Sequence, residues 1–419
     1  MKAVIGKLLS DKSEVRIPAS KSISHRALIA ASLADGKSII HDLDINKDTE
    51  ATINCLRILG AEIEVNGNEV TVQGIKDFDH YDSSIINCNE SGSTLRFMIP
   101  LFTMSDKLCQ FSGKGKLMQR PQTVYEQLFP EFKLEDDVLK VKGKLNGGNY
   151  EIRGDISSQF ITGLLFVLPL MNEDSTIKVL EPFESESYVD MTVSVLRNAG
   201  IEIEKNGCDI SVRGNQKYRP LDMTVNGDDS QAAFFALLAA INNSEVMVHG
   251  MDHDSLQGDH AIVDIIRSCG CEVSEISDGY LFKGNSLRPL EVSLKNCPDL
   301  GPALFALASK IEGESHFTDV RRLRIKESDR IEAMKSELEK LGCKVTCTEN
   351  DVWITGSDIL KGNVTLEGHN DHRIVMALSV LASACNDRVT INGIEAVEKS
   401  FPEFFEVLKN MRVEVDIYD

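Results

Sequence analysis

The sequence predicts an α/β fold (α+β in its repeated strand–helix units), built as two similar domains of three repeats each. Three observations support this prediction: glycine pairs recur at steps of about 70 residues, a helix-period segment precedes each pair, and further helices are apolar on most sides. A fixed period of this length indicates one supersecondary unit copied around a core. Each unit reads strand–helix–strand–helix–hairpin, a βαβαββ-type repeat.

The hairpins are the clearest part of the repeat. In each, two glycines 14 residues apart enclose two alternating apolar runs: Gly60/Gly74, Gly200/Gly214, Gly270/Gly284 and Gly342/Gly356. A weaker copy ends at Gly143, with Phe129 in place of the first glycine, and a sixth begins at Arg412 and stops with the chain. The first glycine of each pair is predicted to follow a helix end and the second to end a strand.

Two sets of helices are predicted from the apolar spacing. The amphipathic set precedes the hairpins, at 49–59, 188–199, 260–269 and 330–341. The second set is apolar almost all round and therefore predicted to be buried, at 24–33, 93–104, 158–171, 230–241, 299–310 and 371–384. Each of these begins at a Ser or Asp suited to an N-cap and leads into a short strand. Three units close one domain if the helices lie inside and the sheets outside.

Composition limits the classes of partner. The 419-residue chain is 42% hydrophobic and 26% charged and carries a formal net charge of −20. This charge argues against nucleic acid, and no apolar run approaches the roughly 18 residues that cross a membrane. The first residues show no signal-peptide pattern, so we expect a cytoplasmic protein. The ten cysteines form no C-x-x-C pair and are predicted to be core thiols, with no metal ligands among them.

Cations gather at the starts of the predicted buried helices. Lys21, Arg26, Arg96 and Arg373 lie there, where free N–H groups already favour anions. The segment 322–330 places four more cations before a helix, against the preference of the helix dipole. Capping and solvated charge explain any one of these positions alone. Their recurrence at equivalent points of a repeat favours pockets for small anionic ligands.

Eight segments spread along nearly the whole chain resemble the 5-enolpyruvylshikimate-3-phosphate synthase (3-phosphoshikimate 1-carboxyvinyltransferase) family of enolpyruvyl transferases. They are SKSISHR at 20–26, ESGSTLR at 90–96, QRP at 119–121, SSQ at 157–159, PD at 298–299, RIKESDR at 324–330, NDHR at 370–373 and KSFP at 399–402. They occur in the family's order. Together they form a far more specific signature than any one of them.

The resemblance implies a fold and a reaction. The fold has an inserted domain, 20–226, and a discontinuous domain, 1–19 plus 227–419, each with three repeats, buried parallel helices and sheets outside (an inside-out α/β barrel), and the active site in the cleft between them. The reaction moves the enolpyruvyl group of phosphoenolpyruvate to the 5-hydroxyl of shikimate 3-phosphate, through a tetrahedral intermediate, in the pathway to chorismate and the aromatic amino acids. The family needs no cofactor and no metal, and we expect a monomer.

The resemblance also assigns binding roles. Phosphoenolpyruvate is expected at Lys21, Gly92, Arg120, Gln159, Lys326, Arg330, Arg373 and Lys399. Shikimate 3-phosphate is expected at Lys21, Ser22, Arg26, Ser157, Ser158, Gln159, Ser185, Asp299 and Lys326. Arginine suits both substrates because its planar fork binds carboxylate and phosphate bidentately. Gly92 matches the family position where a side chain crowds phosphoenolpyruvate analogues, so we expect glyphosate to inhibit.

Proton transfer needs a base for the attacking hydroxyl and an acid at the methylene carbon. Lys21, Asp299 and Glu327 match the family's candidates, and the sequence leaves open which of them moves which proton. Arg96, Tyr188 and His372 are expected only to support the site; for His372, assistance and a structural role remain equal alternatives. Glu90 and Arg322 stand where the family often has asparagine, so the resemblance assigns them no firm contact.

Two other functions stay open at this point. A sister enzyme of the same fold transfers enolpyruvyl to UDP-N-acetylglucosamine, but it carries a loop cysteine that the segment 114–120 lacks. A non-catalytic anion-binding protein has no need of Asp299 and Glu327, and both are present. Phosphate release with shikimate 3-phosphate and phosphoenolpyruvate distinguishes the three.

Overall fold

The computed structural model describes residues 1–79, 81 and 85–419, which divide into two compact units. The split unit is Met1–Pro18 with Gly227–Asp419, and the inserted unit is Ala19–Asn226. The strands are β1 Lys2–Leu8, β2 Lys12–Arg16, β3 Lys37–His41, β4 Glu62–Asn66, β5 Glu69–Gln73, β6 Ile86–Asn87, β7 Cys109–Ser112, β8 Glu131–Glu135, β9 Val138–Lys142, β10 Asn149–Arg153, β11 Ser175–Leu180, β12 Ile203–Asn206, β13 Asp209–Val212, β14 Asp222–Thr224, β15 Glu245–His249, β16 Glu272–Ile276, β17 Gly279–Lys283, β18 Glu291–Ser293, β19 Gly313–Thr318, β20 Lys344–Cys347, β21 Asp351–Gly356, β22 Thr365–Glu367, β23 Val389–Asn392 and β24 Val413–Tyr418.

The α-helices are α1 Lys21–Leu33, α2 Lys47–Ile58, α3 Gly92–Phe102, α4 Thr123–Leu128, α5 Ser158–Val167, α6 Glu186–Asn198, α7 Asp229–Asn242, α8 Ile262–Ser268, α9 Gly301–Ser309, α10 Arg330–Lys340, α11 His372–Ala382 and α12 Phe404–Asn410. Short 3-10 helices lie at Leu117–Gln119, Leu168–Leu170, Gly258–Ala261, Pro298–Leu300, Arg321–Ile325 and Ile394–Lys399.

The described residues form six four-stranded sheets with one shared topology. The inserted unit has β14-β3-β5-β4, β6-β7-β9-β8 and β10-β11-β13-β12; the split unit has β2-β15-β17-β16, β18-β19-β21-β20 and β22-β23-β1-β24. In each sheet the first pair is parallel and the other neighbours are antiparallel. A buried helix connects a parallel pair where both strands come from one repeat, as α5 connects β10 and β11.

Three sheets are completed by a strand from a distant part of the chain. β14 supplies the edge strand beside β3, and β2 supplies the edge strand beside β15. β1 lies between β23 and β24, antiparallel to both. The sixth hairpin, which the sequence suggested was cut short after Arg412, is therefore complete: its second strand comes from the beginning of the chain.

The paired glycines have two distinct roles. The first glycine of each pair follows a helix end and has positive φ, from 80° at Gly200 to 113° at Gly270. Arg412 takes the same place in the sixth copy, with φ 69°. The second glycine lies against the chain at the end of a buried helix, where a Cβ at Gly74 or Gly356 would overlap the carbonyl oxygen of Ala34 or Ala308. The first position thus selects glycine for its backbone and the second for lack of space.

The buried helices make up the centre of each hydrophobic core. α1, α3 and α5 belong to the core of the inserted unit, and α7, α9 and α11 to that of the split unit. α5 begins at Ser158 as predicted, but two other starts differ by more than one residue. α1 begins at Lys21 behind Ser20, three residues before Ser24, and α9 begins at Gly301 after the 3-10 turn Pro298–Leu300. For α1, the apolar run marks where the helix is buried, but the polar first turn extends beyond that run.

Candidate active site

In the inserted unit, the first of the predicted cations is Lys21, in the first turn of α1. Lys21 Nζ donates to Asp48 Oδ2 at 2.9 Å, and both side chains are largely buried. Asp48 lies in the first turn of α2, whose N-cap Asn46 forms a capping box with Thr49. The capped helix thereby fixes the carboxylate that holds Lys21.

Arg26 is buried beneath the same helix start and is 2% exposed. Its Nε donates to Thr192 Oγ1 at 2.8 Å, Nη1 to the carbonyl of Ser22 at 2.6 Å and Nη2 to the carbonyl of Tyr188 at 2.9 Å. Burial lowers the pKa of Arg26 to about 10, so the guanidinium stays charged at neutral pH. The guanidinium thereby connects α1 to α6.

Gly92, Arg120 and Gln159 lie together at the starts of α3 and α5. A Cβ built on Gly92 would stand 2.7 Å from Arg120 Nη1 and 3.6 Å from Gln159 Oε1. Gln159 accepts from Arg96 Nη1 at 2.7 Å and donates to Ser93 Oγ at 2.9 Å. Arg96 also bonds the carbonyl of Pro121 at 2.9 Å, next to Arg120. Arg96 therefore positions two of the predicted phosphoenolpyruvate residues.

Serines occupy the starts of α5 and α6. Ser157 is the N-cap of α5 and accepts from the backbone N–H of Gln159, while Ser158 begins the helix. Ser185 precedes α6 with a left-handed φ of 54° and is fully buried. The backbone N–H of Tyr188 donates to the Ser185 carbonyl, which closes a turn beside Arg26. Hydroxyl groups and a guanidinium thus share one end of the inserted unit.

Glu90 lies beside the loop that leads to Arg120. A Cβ built on Gly115 would come within 2.9 Å of Glu90 Oε2. The carboxylate therefore faces the backbone of this loop, at the position where the family often has asparagine.

The split unit carries a second cationic group around Asp299. Lys326 Nζ and Arg330 Nη1 both donate to Asp299 Oδ1, at 3.1 and 2.9 Å. Arg373 Nη2 donates to Oδ2 at 3.0 Å. Asp299 comes from the 3-10 turn before α9, Lys326 from the segment before α10, and Arg373 from the first turn of α11. Cations from two successive repeats thus converge on one carboxylate.

This arrangement determines the charge states. Burial raises the pKa of Asp299, but Arg373, Lys326 and Arg330 outweigh it and hold that pKa well below its usual range. Burial, with help from Arg330 and Arg322, lowers the pKa of Lys326 despite Asp299. Asp299 is therefore a carboxylate at neutral pH, next to an ammonium group that is easier to deprotonate than an exposed lysine.

Arg330 is the most enclosed member, at 1% exposed. Besides Asp299 it bonds Glu327 Oε2 at 2.7 Å and Asp371 Oδ2 at 2.8 Å. Burial lowers the pKa of Arg330, but Asp371, Glu327 and Asp299 raise it above its usual value. Asp371 also caps α11 by accepting from the backbone N–H of Arg373 at 3.0 Å. One arginine thereby orders both candidate proton carriers of this unit and the start of α11.

Lys399 and His372 complete the predicted residues of the split unit. Lys399 Nζ donates to the carbonyl of Asn370 at 2.7 Å. His372 begins α11 and is buried, and the N-cap of this helix is Asp371. Arg322 lies in the 3-10 helix Arg321–Ile325, 6% exposed and close enough to Lys326 to lower its pKa.

Several contributors were not predictable from local sequence. Asp48, Thr192 and Ser230 bond Lys21, Arg26 and Arg373, respectively. Each is a common helix-start or helix-face residue, distant in sequence from its partner. Conversely, Arg324 belongs to the RIKESDR segment but bonds Asp329, Glu332 and the carbonyl of Thr348. Three partners did lie within the family segments and were indicated by the sequence: Asp371, Asn370 and Ser93.

Across 1–79, 81 and 85–419, no three or more His, Cys, Asp or Glu side chains group in a way that could hold a metal ion. In the same part of the chain, no helix has the length and apolar character needed to cross a membrane.

Comparison with known proteins decides the family. A family model described as EPSP synthase (3-phosphoshikimate 1-carboxyvinyltransferase) matches residues 9–408. The chain belongs to the EPSP synthase family. A Clostridium kluyveri 3-phosphoshikimate 1-carboxyvinyltransferase is 40% identical over 413 residues, covering 97% of this chain and 96% of that protein. One from Clostridium acetobutylicum is 40% identical over 410 residues, covering 96% and 95%.

Solved structures agree with the EPSP synthase fold. An EPSP synthase from Acinetobacter baumannii superimposes with a TM-score of 0.80 at 25% identity, over 99% of both chains. The enolpyruvyl transferase NikO from Streptomyces tendae, 16% identical with a TM-score of 0.78, has the same fold. The predicted family, α/β fold class, enzyme class of 3-phosphoshikimate 1-carboxyvinyltransferase and shikimate pathway are thereby confirmed. The family implies small anionic substrates.

Proposed function

We propose that this chain transfers the enolpyruvyl group of phosphoenolpyruvate to the 5-hydroxyl of shikimate 3-phosphate and releases phosphate. The observation that carries the proposal is the convergence of Lys326, Arg330 and Arg373 on the carboxylate of Asp299. Two polyanionic substrates need fixed cations, and proton transfer needs an ionisable group among them. Full-length similarity to the EPSP synthase family supports the same reaction.

The residues proposed to bind phosphoenolpyruvate follow the family motifs. In the inserted unit the residues are Lys21, Gly92, Arg120 and Gln159; in the split unit they are Lys326, Arg330, Arg373 and Lys399. Gly92 contributes space, since a Cβ there would collide with Arg120. The guanidinium groups suit the carboxylate and the phosphate because each fork presents paired N–H donors.

Shikimate 3-phosphate is proposed to bind mainly in the inserted unit. The proposed donors of this unit are Lys21, Ser22, Arg26, Ser157, Ser158, Gln159 and Ser185. The family motifs add Asp299 and Lys326 of the split unit to the proposed binding residues. Ser157 and Ser158 stand at the start of α5, where backbone N–H groups favour phosphate.

The chemistry is proposed to be addition followed by elimination. The 5-hydroxyl loses a proton as it attacks C2 of phosphoenolpyruvate, the methylene carbon gains one, and a tetrahedral ketal forms. In the elimination, the same carbon loses a proton, the bond between C2 and the phosphate oxygen breaks, and phosphate leaves. Asp299 begins as a carboxylate, and an anionic substrate that offsets Arg330 and Arg373 raises its basicity at the moment of attack. Glu327, held by Arg330, and Lys21, held by Asp48, are the other proton carriers.

The test is phosphate release measured with phosphoenolpyruvate and either shikimate 3-phosphate or UDP-N-acetylglucosamine. We expect turnover with shikimate 3-phosphate alone. Turnover only with the UDP-sugar would assign the sister activity. Binding of both anions without phosphate release would assign the non-catalytic function.

We further propose a cytoplasmic monomer. The free thiols of the ten cysteines suit a reducing compartment, which supports the proposed location. Sedimentation equilibrium that gives about twice the 46.4 kDa chain mass at assay concentration would contradict the monomer.

A further inference from the structure

Glu337 is a buried carboxylate on α10 and is not among the predicted site residues. It is 1% exposed, yet four donors reach it. Oε1 accepts from His369 Nε2 and Ser336 Oγ, both at 2.9 Å; Oε2 accepts from Lys340 Nζ at 2.6 Å and the backbone N–H of Glu367 at 2.9 Å. Because a carboxylate only accepts, the Nε2 of His369 carries the proton in this bond.

Two of these donors belong to the loop between β22 and α11. Glu367 ends β22, and His369 and Asn370 follow with φ values of 50° and 52°. Successive left-handed residues other than glycine are unfavourable and persist only where surrounding contacts impose them. Glu337 supplies two such contacts, one to the backbone at Glu367 and one to the side chain of His369.

The same loop presents a carbonyl to a predicted substrate residue. Asn370 O accepts from Lys399 Nζ at 2.7 Å, and Lys399 is 7% exposed. The orientation of this carbonyl depends on the backbone of His369 and Asn370. A change in the two left-handed residues therefore displaces the acceptor that directs the ammonium group.

α10 forms hydrogen bonds with the loop between β22 and α11 at two points. Arg330, in its first turn, bonds Asp371 at the end of the loop, and Glu337, two turns later, bonds Glu367 and His369 at its beginning. The Arg330 contact belongs to the site already described. The Glu337 contact orders the loop without touching Asp299, Glu327 or Arg373 in any contact that the described residues show.

We propose that Glu337 and His369 are a positioning pair that holds the Asn370 carbonyl, and through it Lys399, in place for phosphoenolpyruvate. The proposal rests on the proposed function, in which Lys399 binds that substrate. Neither residue of the pair touches substrate. The pair orients the Lys399 ammonium group. It therefore affects the binding of phosphoenolpyruvate more than the proton transfers at Asp299 and Glu327.

The test compares steady-state kinetics of Glu337→Gln, His369→Leu and Lys399→Met. Glu337→Gln and His369→Leu are expected to raise KM for phosphoenolpyruvate roughly tenfold, as for a weakened charge-assisted hydrogen bond, with kcat and KM for shikimate 3-phosphate within about twofold. His369→Gln restores a side-chain donor and is expected to recover most of the loss. The matched control is Glu339→Gln, the same change on an exposed face of the same helix.

The outcomes separate the two proposals. If Lys399→Met leaves KM for phosphoenolpyruvate unchanged, the binding role of Lys399 fails, and the positioning role fails with it. If Lys399→Met raises KM while His369→Leu does not, only the positioning pair is wrong. Equal effects on both substrates, or a fall in kcat alone, also overturn it. Because His369 is one-third exposed, His369→Leu decides the question if Glu337→Gln does not fold.

Discussion

The guanidinium of Arg373 donates two hydrogen bonds to Asp299. Nη2 donates to the carboxylate Oδ2 of Asp299 at 3.0 Å, and Nη1 donates to its backbone carbonyl oxygen at 3.3 Å. The two bonds hold one arginine against both ends of one residue, so the carboxylate has little freedom to rotate. Arg373 Nη2 also donates to Ser230 Oγ at 2.9 Å. A substrate anion that recruits this guanidinium therefore changes the surroundings of Asp299 directly.

Replacement of Asp299 by asparagine tests its role in proton transfer. The amide has nearly the same shape but cannot accept the hydroxyl proton, so we expect kcat to fall by about a hundredfold or more, the usual share of an acid–base group. KM for phosphoenolpyruvate is expected not to rise, because three cations lose a competing anion. Phosphate release measures both constants.

Asp264→Asn is the control for this change. Asp264 is exposed on α8 and pairs with Arg267 at 2.9 Å, so the same substitution there leaves kcat unchanged. A kcat for Asp299→Asn within threefold of the parent would make Asp299 only a charge partner of the three cations.

Gly92→Ala tests the space beside Arg120. The added Cβ lies 2.7 Å from Arg120 Nη1, so the guanidinium must move and we expect KM for phosphoenolpyruvate to rise about tenfold. Glyphosate is expected to inhibit the parent chain in competition with phosphoenolpyruvate and to require a higher concentration against the variant. Equal inhibition of both chains would contradict this account, as would full activity of the parent at high glyphosate with little phosphoenolpyruvate.

Arg26→Lys tests the buried guanidinium of the inserted unit. Lysine cannot reach Thr192, Ser22 and Tyr188 at once, so we expect a loss of about 2 kcal/mol in the free energy of unfolding and a higher KM for shikimate 3-phosphate. Arg197→Lys, exposed on α6, is the control. Parental KM for shikimate 3-phosphate in the Arg26 variant would argue against phosphate binding at this position.

Glu337 predicts a pH dependence of stability. Burial raises its pKa, but His369, Lys340 and the N–H of Glu367 outweigh it and lower the pKa from 4.5 to about 2. A carboxylate with a lowered folded-state pKa stabilises the fold above its unfolded pKa and loses that contribution as pH falls through the folded value. The window is therefore about pH 4.5 to 2, and the shift corresponds to about 3 kcal/mol at neutral pH.

Urea unfolding of the parent and Glu337→Gln across that window measures the contribution. The stability difference between the two chains is expected to shrink steadily as the pH falls from 4.5. A difference that stays constant over this range would show that the charge of Glu337 contributes nothing.

The sequence allowed the repeat, the sheets and the burial of the apolar helices to be predicted, because those depend on local periodicity. Helix starts were harder. Ser24 looked like an N-cap, but α1 begins at Lys21, since a polar first turn leaves no apolar signal. The origin of β1 as a partner of β24 was also hidden, because strand pairing over such a separation leaves no local trace.

The residues of the site show the same division between what local sequence predicts and what only the fold brings together. Positions within the family segments could be named in advance, but their partners could not. Asp48 and Thr192 are ordinary helix residues until packing places them against Lys21 and Arg26. The lowered pKa of Asp299 likewise depends on three cations that only the folded chain brings within 3.1 Å.

The sheet that joins β1 to β23 and β24 has a consequence for synthesis on the ribosome. At about 5 to 20 residues per second, roughly 20 to 80 seconds pass before the partners of β1 emerge, whereas the inserted unit has all its strands once β14 is made. During this interval β1 exposes its ladder groups and the apolar side chains of Ala3 and Ile5, which the finished sheet buries. β1 is thus made long before both of its partner strands and is among the last to pair, which leaves it open to misassembly during synthesis.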